Sequence, residues 1–271
     1  MNLLHSFLLV GLGFLVGTLG TLIGAGGGFI LVPVLLLLYP TAKPELITSI
    51  SLAIVFLNAS SGSVAYARMR RIDYKSAMIF AAATLPGAII GAISTGYIPR
   101  QTFNLILSIL LFVISIILFL KPQQGVFTAV KKRKYHVHRT VTERSGEQHH
   151  YSFNNFIGIA LSFIVGFISS LLGIGGGIIH VPALTKLLNF PIHIATATSH
   201  LILAFMALAG TIVHVIQGDF ENGWFPTLLI GVGVVIGAQI GARLSDKIKG
   251  LMIVRVLAIA LLVVAIRLFF Q

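Results

Sequence analysis

The sequence contains no cysteine and few charged residues of either sign. The missing thiols exclude disulfides, thiolate metal sites and cysteine nucleophiles. Charged residues make up 10% of the chain, whereas an ordinary soluble domain carries about 25%. A composition this poor in charge argues against a soluble globular protein.

Acidic residues are the scarcest chemical group, and they avoid the apolar segments. Only seven are present, against 19 lysines and arginines. All of them fall at predicted loops or helix ends, so we expect no carboxylate at mid-membrane to bind sodium or carry a proton. Without such carboxylates or cysteines, an intramembrane enzyme is disfavoured, and we expect neither enzymatic activity nor a cofactor. The seven are Glu45, Asp73, Glu143, Glu147, Asp219, Glu221 and Asp246.

Hydrophobic residues form 56% of the chain and occur in long runs throughout. Runs of this length predict a polytopic membrane protein. The first run, residues 3–23, lacks the basic start and cleavage site of a signal peptide, and we expect it to be retained. The net charge of +12 is explained by the accumulation of lysine and arginine in cytoplasmic loops, so we expect no nucleic-acid partner.

A glycine-rich motif interrupts two of the apolar runs. Residues 24–28 read Gly-Ala-Gly-Gly-Gly and residues 173–177 read Gly-Ile-Gly-Gly-Gly, 149 positions apart, and each is followed after three further residues by Val-Pro. Each glycine costs a helix about 1 kcal/mol relative to alanine. Two such breaks in lipid-soluble sequence require a functional explanation.

The chain divides into two similar halves, residues 1–120 and 153–271, joined by a linker at 121–152. In each half the second segment is short, and about 12 helical residues rise only about 18 Å, against a hydrocarbon core of about 30 Å. These segments are therefore predicted to be half-helices that begin at the glycine breaks. The predicted helices cover 3–23, 28–39, 45–67, 76–97 and 102–120, and then 153–172, 177–189, 192–217, 224–244 and 251–270.

The linker, residues 121–152, has a different composition from the rest. It holds seven lysines and arginines and four histidines, His136, His138, His149 and His150. These histidines could bind a metal in principle, but no acidic or cysteine ligand completes a site. We interpret the segment as a solvated, flexible cytoplasmic linker, with the basic run 131–134 placed to contact anionic lipid.

The charges of the loops predict opposite orientations for the two halves. The loop at 68–75 is strongly basic, whereas the matching loop of the second half carries Asp219 and Glu221. The positive-inside rule places the first loop in the cytoplasm and the second outside. The linker and the basic loop at 243–249 then also fall in the cytoplasm, with both termini outside the cell membrane. The predicted fold is an all-α polytopic membrane protein of two inverted-topology repeats, each of five elements with a glycine-broken half-helix.

Interrupted helices in inverted repeats mark transporter substrate sites. The start of a half-helix exposes backbone N–H groups at its positive end and can bind an anion without a charged side chain. We predict substrate binding at Gly26, Gly27 and Gly28 and at Gly175, Gly176 and Gly177. The alternative, that glycines only permit tight helix packing, better suits Gly87, Gly91, Gly237 and Gly241.

Polar side chains beside the breaks are candidates for the rest of the site. Ser51, Asn58, Thr198 and Ser199 could complete an anion shell, although each hydroxyl could instead bond its own helix backbone. His180, His200 and His214 are the ionisable residues of the predicted interior and are candidates for proton coupling. The alternative is a neutral histidine hydrogen-bonded to a neighbouring helix.

The paired Gly-x-Gly-Gly-Gly-x3-Val-Pro motifs resemble those of the sulfite exporter TauE/SafE family of membrane permeases. Further likenesses are residues 197–199 (Ala-Thr-Ser) after Pro191, Gly62 and Gly210 in the third helix of each half, and the Gly-Ala-x-x-Gly-Ala pattern of the fourth. The resemblance implies transport of small anions such as sulfite or organosulfonates across a bacterial or archaeal cell membrane. The first half departs from the pattern at residues 49–52, and the basic linker lies outside it.

These observations favour an alternating-access anion permease, with proton coupling left open. Two other functions are compatible with the same sequence. The protein could be a non-transporting membrane scaffold that uses the linker for docking, or a passive anion channel.

Overall fold

The computed structural model of the protein describes residues 3–120, 136–220, 223–245 and 251–270. It is mostly helical, with one β-hairpin between the two halves of the chain. The elements are α1 (Leu3–Ile23), α2 (Gly28–Leu38), α3 (Pro44–Arg68), α4 (Tyr74–Thr95), α5 (Arg100–Leu120), β1 (His136–Thr142), β2 (Gln148–Asn154), α6 (Asn155–Leu172), α7 (Gly177–Leu187), α8 (Ile192–Gln217), α9 (Trp224–Leu244) and α10 (Leu251–Phe269).

Among the described residues, seven helices are long and apolar enough to cross a membrane: α1, α3, α4, α5, α6, α8 and α9. This confirms the prediction of a multi-pass membrane protein. The two predicted half-helices are also present, since α2 and α7 have 11 residues each. A helix of that length rises about 16 Å, roughly half of a hydrocarbon core.

Glycines bring two pairs of helices into close parallel contact. In α1, Gly13 and Gly17 face the backbone of Ile230 and Val234 in α9. The pair α4 and α6 repeats this arrangement, with Gly87 and Gly91 against the backbone of residues 163 and 167. Small residues let helix backbones approach closely within a membrane. The interpretation of Gly87 and Gly91 as packing residues is therefore confirmed, and Gly237 and Gly241, which face α1, serve the same purpose.

The third helices of the two halves, α3 and α8, pack against each other in opposite directions. Gly62 of α3 lies against His200, while Gly210 of α8 lies against Leu52. Residue numbers therefore increase along α3 in the direction in which they decrease along α8. The fifth helices, α5 and α10, are likewise antiparallel. The Ser115 hydroxyl donates to the Ala258 carbonyl at 2.7 Å, whereas Ser108, earlier on α5, lines a common pocket with Ala265, later on α10. Each half thus makes the same set of contacts with the other.

The expectations of an all-α fold and a flexible linker need one correction. Residues 136–154 form an antiparallel hairpin in which His136 pairs with Asn154 and Thr142 with Gln148. Val137 and Val141 alternate with polar residues on β1, a period that favours a strand with one buried face. The remainder of the linker, 121–135 with its basic run, lies outside the described residues, as do Glu221, Asp246, Lys247 and Lys249.

The hairpin docks on the connection between α3 and α4 through one buried carboxylate. Asp73 caps α4 by accepting from the Ser76 backbone, and it also accepts from the Tyr151 hydroxyl at 2.7 Å. Burial and the nearby Asp73 charge raise the pKa of Tyr151, which keeps its hydroxyl a donor. Phe153 stacks beside Tyr151 and packs on Phe190 of the second half and Phe80 of the first, so aromatic contacts fix the hairpin against both halves.

The close contact between α1 and α9 can be tested with a pair of matched substitutions in α1. A Cβ at Gly17 would lie 2.5 Å from the Val234 carbonyl oxygen, whereas a Cβ at Gly11 would meet nothing within 4 Å. Gly17→Ala should therefore lower the unfolding free energy by about 1–3 kcal/mol through overpacking.

Gly11→Ala is the control and should be neutral or stabilising by up to about 1 kcal/mol, because alanine favours the helix. Thermal unfolding of the purified proteins in detergent measures both. Equal melting temperatures for the two variants would show that α1 and α9 do not meet at Gly17.

Candidate functional site

The two glycine segments end α1 and α6 and begin the half-helices α2 and α7. Residues 24–28 and 173–177 are entirely buried. Gly24, Gly26 and Gly27 have φ values of 83°, 75° and 81°, and Gly173 and Gly175 have 68° and 65°. Only glycine adopts this left-handed region without steric cost, so the backbone itself requires the motif.

The two segments touch each other, backbone to backbone. A Cβ on Gly28 would lie 2.5 Å from the Gly173 carbonyl oxygen and 2.6 Å from the Ile174 carbonyl carbon. A Cβ on Gly177 would collide in the same way with the Gly24 carbonyl oxygen and with Ala25. We call this meeting point, residues 24–28 and 173–177, the glycine crossing. It can form only because neither side chain exists.

Unpaired backbone donors are concentrated at the glycine crossing. In the half-helices, the first backbone N–H groups that donate a hydrogen bond are those of Ile30, to the Gly27 carbonyl, and Ile179, to the Gly176 carbonyl. Within the described residues, the N–H groups of 27–28 and 176–177 have no hydrogen-bond partner. Free N–H groups at the positive end of a helix attract anions. The geometry therefore provides two such ends at one buried place.

The long helices α3 and α8 flank the glycine crossing in a matching way. Thr48 of α3 lies against Gly173, and Thr196 of α8 lies against Gly24. Val55 lies against Gly26 and Gly175, while Leu203 lies against Gly26 and Gly177. The apolar contacts lower the local dielectric, in which hydrogen bonds to a charged ligand are stronger than in water.

Of the predicted side chains, Asn58 and Ser51 are the two that reach the crossing. Asn58 accepts from the Thr21 hydroxyl at 2.6 Å. Its amide nitrogen has no partner and lies in the space that side chains at Gly20 and Gly27 would fill. Ser51 instead donates to the Gly173 carbonyl at 2.6 Å, so its hydroxyl stabilises the break of the opposite half.

Thr198 and Ser199 lie on α8 but face different surroundings. The Thr198 hydroxyl accepts from the backbone N–H of Asp73 at 3.1 Å, which places it at the connection between α3 and α4. Ser199 is fully buried, and its hydroxyl has no partner. The structure thus brings Asn58 to the crossing and turns Thr198 toward the hairpin end of the molecule.

Sequence reasoning missed Ser169, which stands where the first half has Gly20. The Ser169 hydroxyl is fully buried and without a partner, and it lies 2.5 Å from where a Cβ on Gly176 would be. Leaving a buried donor unpaired costs about 1–3 kcal/mol. Asn58 and Ser169 therefore supply one unpaired polar group to each break. The 149-residue offset of the glycine motif could have pointed to Ser169.

The three candidate histidines occupy separate environments and do not form one relay. His180 lies 3.2 Å from the Ser162 hydroxyl, beside the ring of Phe80. The Nε2 of His200 has no partner, and its ring contacts Gly62 and the edge of Tyr66.

His214 is the one of these three with a carboxylate partner. Its Nδ1 lies 2.8 Å from the Asp219 carboxylate, and its Nε2 lies 3.4 Å from the Thr48 hydroxyl. His200 and His214 are separated by 14 residues on α8, or about 21 Å along the helix, so no direct proton transfer joins them.

Two half-helices that meet at a glycine crossing among long apolar helices belong to a multi-pass membrane protein, and interrupted helices of this kind are typical of transporters. The chain belongs to the sulfite exporter TauE/SafE family, whose model matches residues 9–268. This confirms the resemblance seen in the motifs.

Relatives cover almost the full length of the chain. It is 33% identical over 270 residues to the "Probable membrane transporter protein YunE" of Bacillus subtilis, with 97% of both chains aligned. It is also 28% identical to a "Probable membrane transporter protein" of Sinorhizobium sp. (98% of this chain, 92% of the relative). The "Probable membrane transporter protein MJ0441" of Methanocaldococcus jannaschii is 26% identical (89% of this chain, 87% of the relative). No solved structure matches the chain.

The different bonding of Ser51 and Ser169 leads to opposite effects of removing each hydroxyl. Ser51→Ala breaks a buried hydrogen bond to Gly173 and should lower the unfolding free energy by about 1 kcal/mol. Ser169→Ala removes a hydroxyl without a partner and should leave the melting temperature unchanged or higher, while weakening substrate affinity several-fold.

Melting curves and the concentration dependence of uptake into liposomes separate the two effects. If Ser169→Ala destabilises the protein more than Ser51→Ala and leaves affinity intact, the assignment of Ser169 to the site is wrong.

Proposed function

We propose that the protein is a permease for small oxyanions, with sulfite and organosulfonates as the substrate class, and that it works by alternating access. The observation that carries this proposal is the glycine crossing, where two helix N-termini present unpaired backbone donors at one buried place. Family membership supports transport as the activity. The named substrate class rests on the resemblance and on the chemistry of the donors.

Backbone amides suit an oxyanion that must be released again. Several N–H groups can share one tetrahedral or pyramidal anion without any fixed positive side chain. Asn58 and Ser169 would add two side-chain donors, and Gly26 and Gly175 would allow close approach of the substrate to the backbone. The absence of a permanent cation in this ligand set keeps binding weak enough for turnover.

The helix directions support an inverted-topology repeat. Equivalent helices α3 and α8 are antiparallel, as are α5 and α10. Two repeats related by an axis in the membrane plane would have this relation, whereas repeats related by an axis along the membrane normal would run parallel. Residues 1–120 and 153–271 would then rock against each other about the crossing.

The distribution of charge supports the proposed sidedness. The hairpin, the α3–α4 connection and Arg243 of α9 share one end of the molecule, and all were predicted to be cytoplasmic. Gly223 and Leu46, at the starts of α9 and α3, meet at the other end, near the Asp219 that partners His214. The termini would then lie outside a bacterial or archaeal cell membrane.

Coupling to protons would involve the histidines singly rather than as a chain. His214 has a partly exposed carboxylate, Asp219, beside it and is placed to exchange protons near the outer end. His200 is nearer the glycine crossing, because its neighbour Thr196 contacts Gly24. His180 is enclosed by Ser162 and Phe80, an environment that also fits a purely structural role.

Transport into liposomes tests the proposal directly. Purified protein should take up radiolabelled sulfite or an organosulfonate, and Gly176→Leu should abolish uptake, because any Cβ there meets Ser169 and Val165. Gly11→Leu is the matched control, since nothing lies within 4 Å of a Cβ at that position, and it should transport normally.

Outcomes separate the proposal from its alternatives. Absence of flux with every oxyanion would contradict a permease and favour a scaffold. Ohmic conductance in planar bilayers, without saturation, would favour a passive channel. Unchanged transport by a correctly inserted Gly176→Leu protein would remove the glycine crossing from the substrate site.

A further inference from the structure

A second concentration of anion-binding groups lies at the hairpin end of the molecule, away from the glycine crossing. A cavity of about 410 Å³ opens there between α3, α9 and the hairpin turn. Among the residues that the structure describes, four arginines line it, namely Arg68, Arg71, Arg144 and Arg243, together with one carboxylate, that of Glu143.

The Glu143 carboxylate already has two partners within the protein. Glu143 accepts from the Arg71 side chain at 2.8 Å and lies 2.9 Å from His149 Nε2. Arg68, Arg144 and Arg243 have no carboxylate within 4 Å among the residues that the structure describes. Within the described part of the chain, three guanidinium groups of the cavity therefore lack a carboxylate partner.

The arginines are brought together by folding rather than by neighbouring positions in the chain. Arg68 ends α3, Arg243 lies in the last turn of α9, and Arg144 belongs to the turn between the strands. The Arg144 backbone N–H donates to the Met69 carbonyl at 3.0 Å, which fixes the turn over the cavity. An excess of cytoplasmic arginine for orientation needs only charge in a loop; it does not need three segments to converge on one concavity.

We propose that this cavity is a second anion site that binds a tetrahedral oxyanion of the sulfate or phosphate type. Guanidinium groups match such anions because their planar N–H forks donate two parallel hydrogen bonds. A free anion and the phosphate of an anionic lipid headgroup both offer this chemistry. A headgroup can reach the cavity because it lies at the C-terminal ends of the membrane-spanning helices α3 and α9. Gln239, whose amide is held by Ser61, completes the polar lining.

The second site is distinct from the glycine crossing. Asn58 at the crossing and Arg68 at the cavity are ten residues apart on α3, or about 15 Å along the helix. The two sites share no lining residue, so each can be changed by its own substitutions and tested apart.

The absence of native cysteines allows a local probe of the cavity. Ser145 lines it and is exposed, so Ser145→Cys provides a single reactive thiol there. Thr142→Cys is the matched control, because Thr142 is exposed on the same hairpin but does not line the cavity. The measured quantity is the rate of maleimide labelling in detergent, with and without sulfate, phosphate or short-chain phosphatidylglycerol.

At least one of these probes should slow labelling at position 145 by threefold or more and leave position 142 unchanged. Adding Arg68→Gln and Arg243→Gln should abolish the protection. The charge-matched pair Arg70→Gln and Lys186→Gln, at exposed positions outside the cavity, should retain it. Protection by sulfate or phosphate assigns the site to a soluble oxyanion, and protection by the lipid alone assigns it to a headgroup.

The proposal is overturned if no probe distinguishes positions 145 and 142, or if protection survives loss of both arginines. The double variant Asn58→Leu with Ser145→Cys tests the cavity separately from the proposed transport function. That variant should lose oxyanion transport and keep the protection, so either proposal can fail without the other.

Discussion

The whole arrangement depends on one backbone contact, the place where residues 24–28 and 173–177 touch. Neither segment could approach the other if Gly28 or Gly177 carried a side chain. The contact requires each preceding helix to end and each half-helix to begin at the same depth. It also sets the positions of α3 and α8, whose threonines and apolar side chains fill the remaining space around it. A single steric condition thus determines the centre of the molecule.

A helix that begins inside an apolar core leaves its first backbone N–H groups without partners. The structure does not offset the free-energy cost of burying these groups. Within the part of the chain that the structure describes, the N–H groups of 27–28 and 176–177 stay unpaired, and Asn58 and Ser169 add further unpaired polar atoms. Native proteins pair most of their buried polar groups, so an accumulation of exceptions at one place favours a ligand. The arginine cavity differs in kind, because its groups are permanent charges near water rather than buried neutral amides.

Much of the architecture could be predicted from the sequence because the signals are strong and local. Apolar runs place the long helices, and α1 begins and ends where predicted, at residues 3 and 23. The doubled glycine motif locates the half-helices, since left-handed backbone demands glycine. The hairpin escaped prediction because its many charged residues resemble those of a solvated linker, and its short alternation of valine and threonine carries a weaker signal than composition.

Side-chain roles were predicted less well because they depend on long-range packing. Contacts across the interface of the halves decide which hydroxyl is free and which donates to a carbonyl. The Ser51 hydroxyl, for example, donates to the carbonyl of Gly173, 122 positions away. Thr198 similarly meets Asp73 through tertiary packing. Ser169 occupies a position where the repeat itself departs from symmetry. Helix periodicity contains none of this information, whereas the folded contacts do.

The central claim is that an oxyanion is held by backbone donors at the glycine crossing. A structure determined with selenite, an electron-dense analogue of sulfite, tests it most directly through the anomalous signal of selenium. We predict a peak with its oxygens within hydrogen-bonding distance of the backbone nitrogens of Gly28 and Gly177. Selenium found only in the arginine cavity, with the crossing still closed and unoccupied at saturating selenite, would contradict the account.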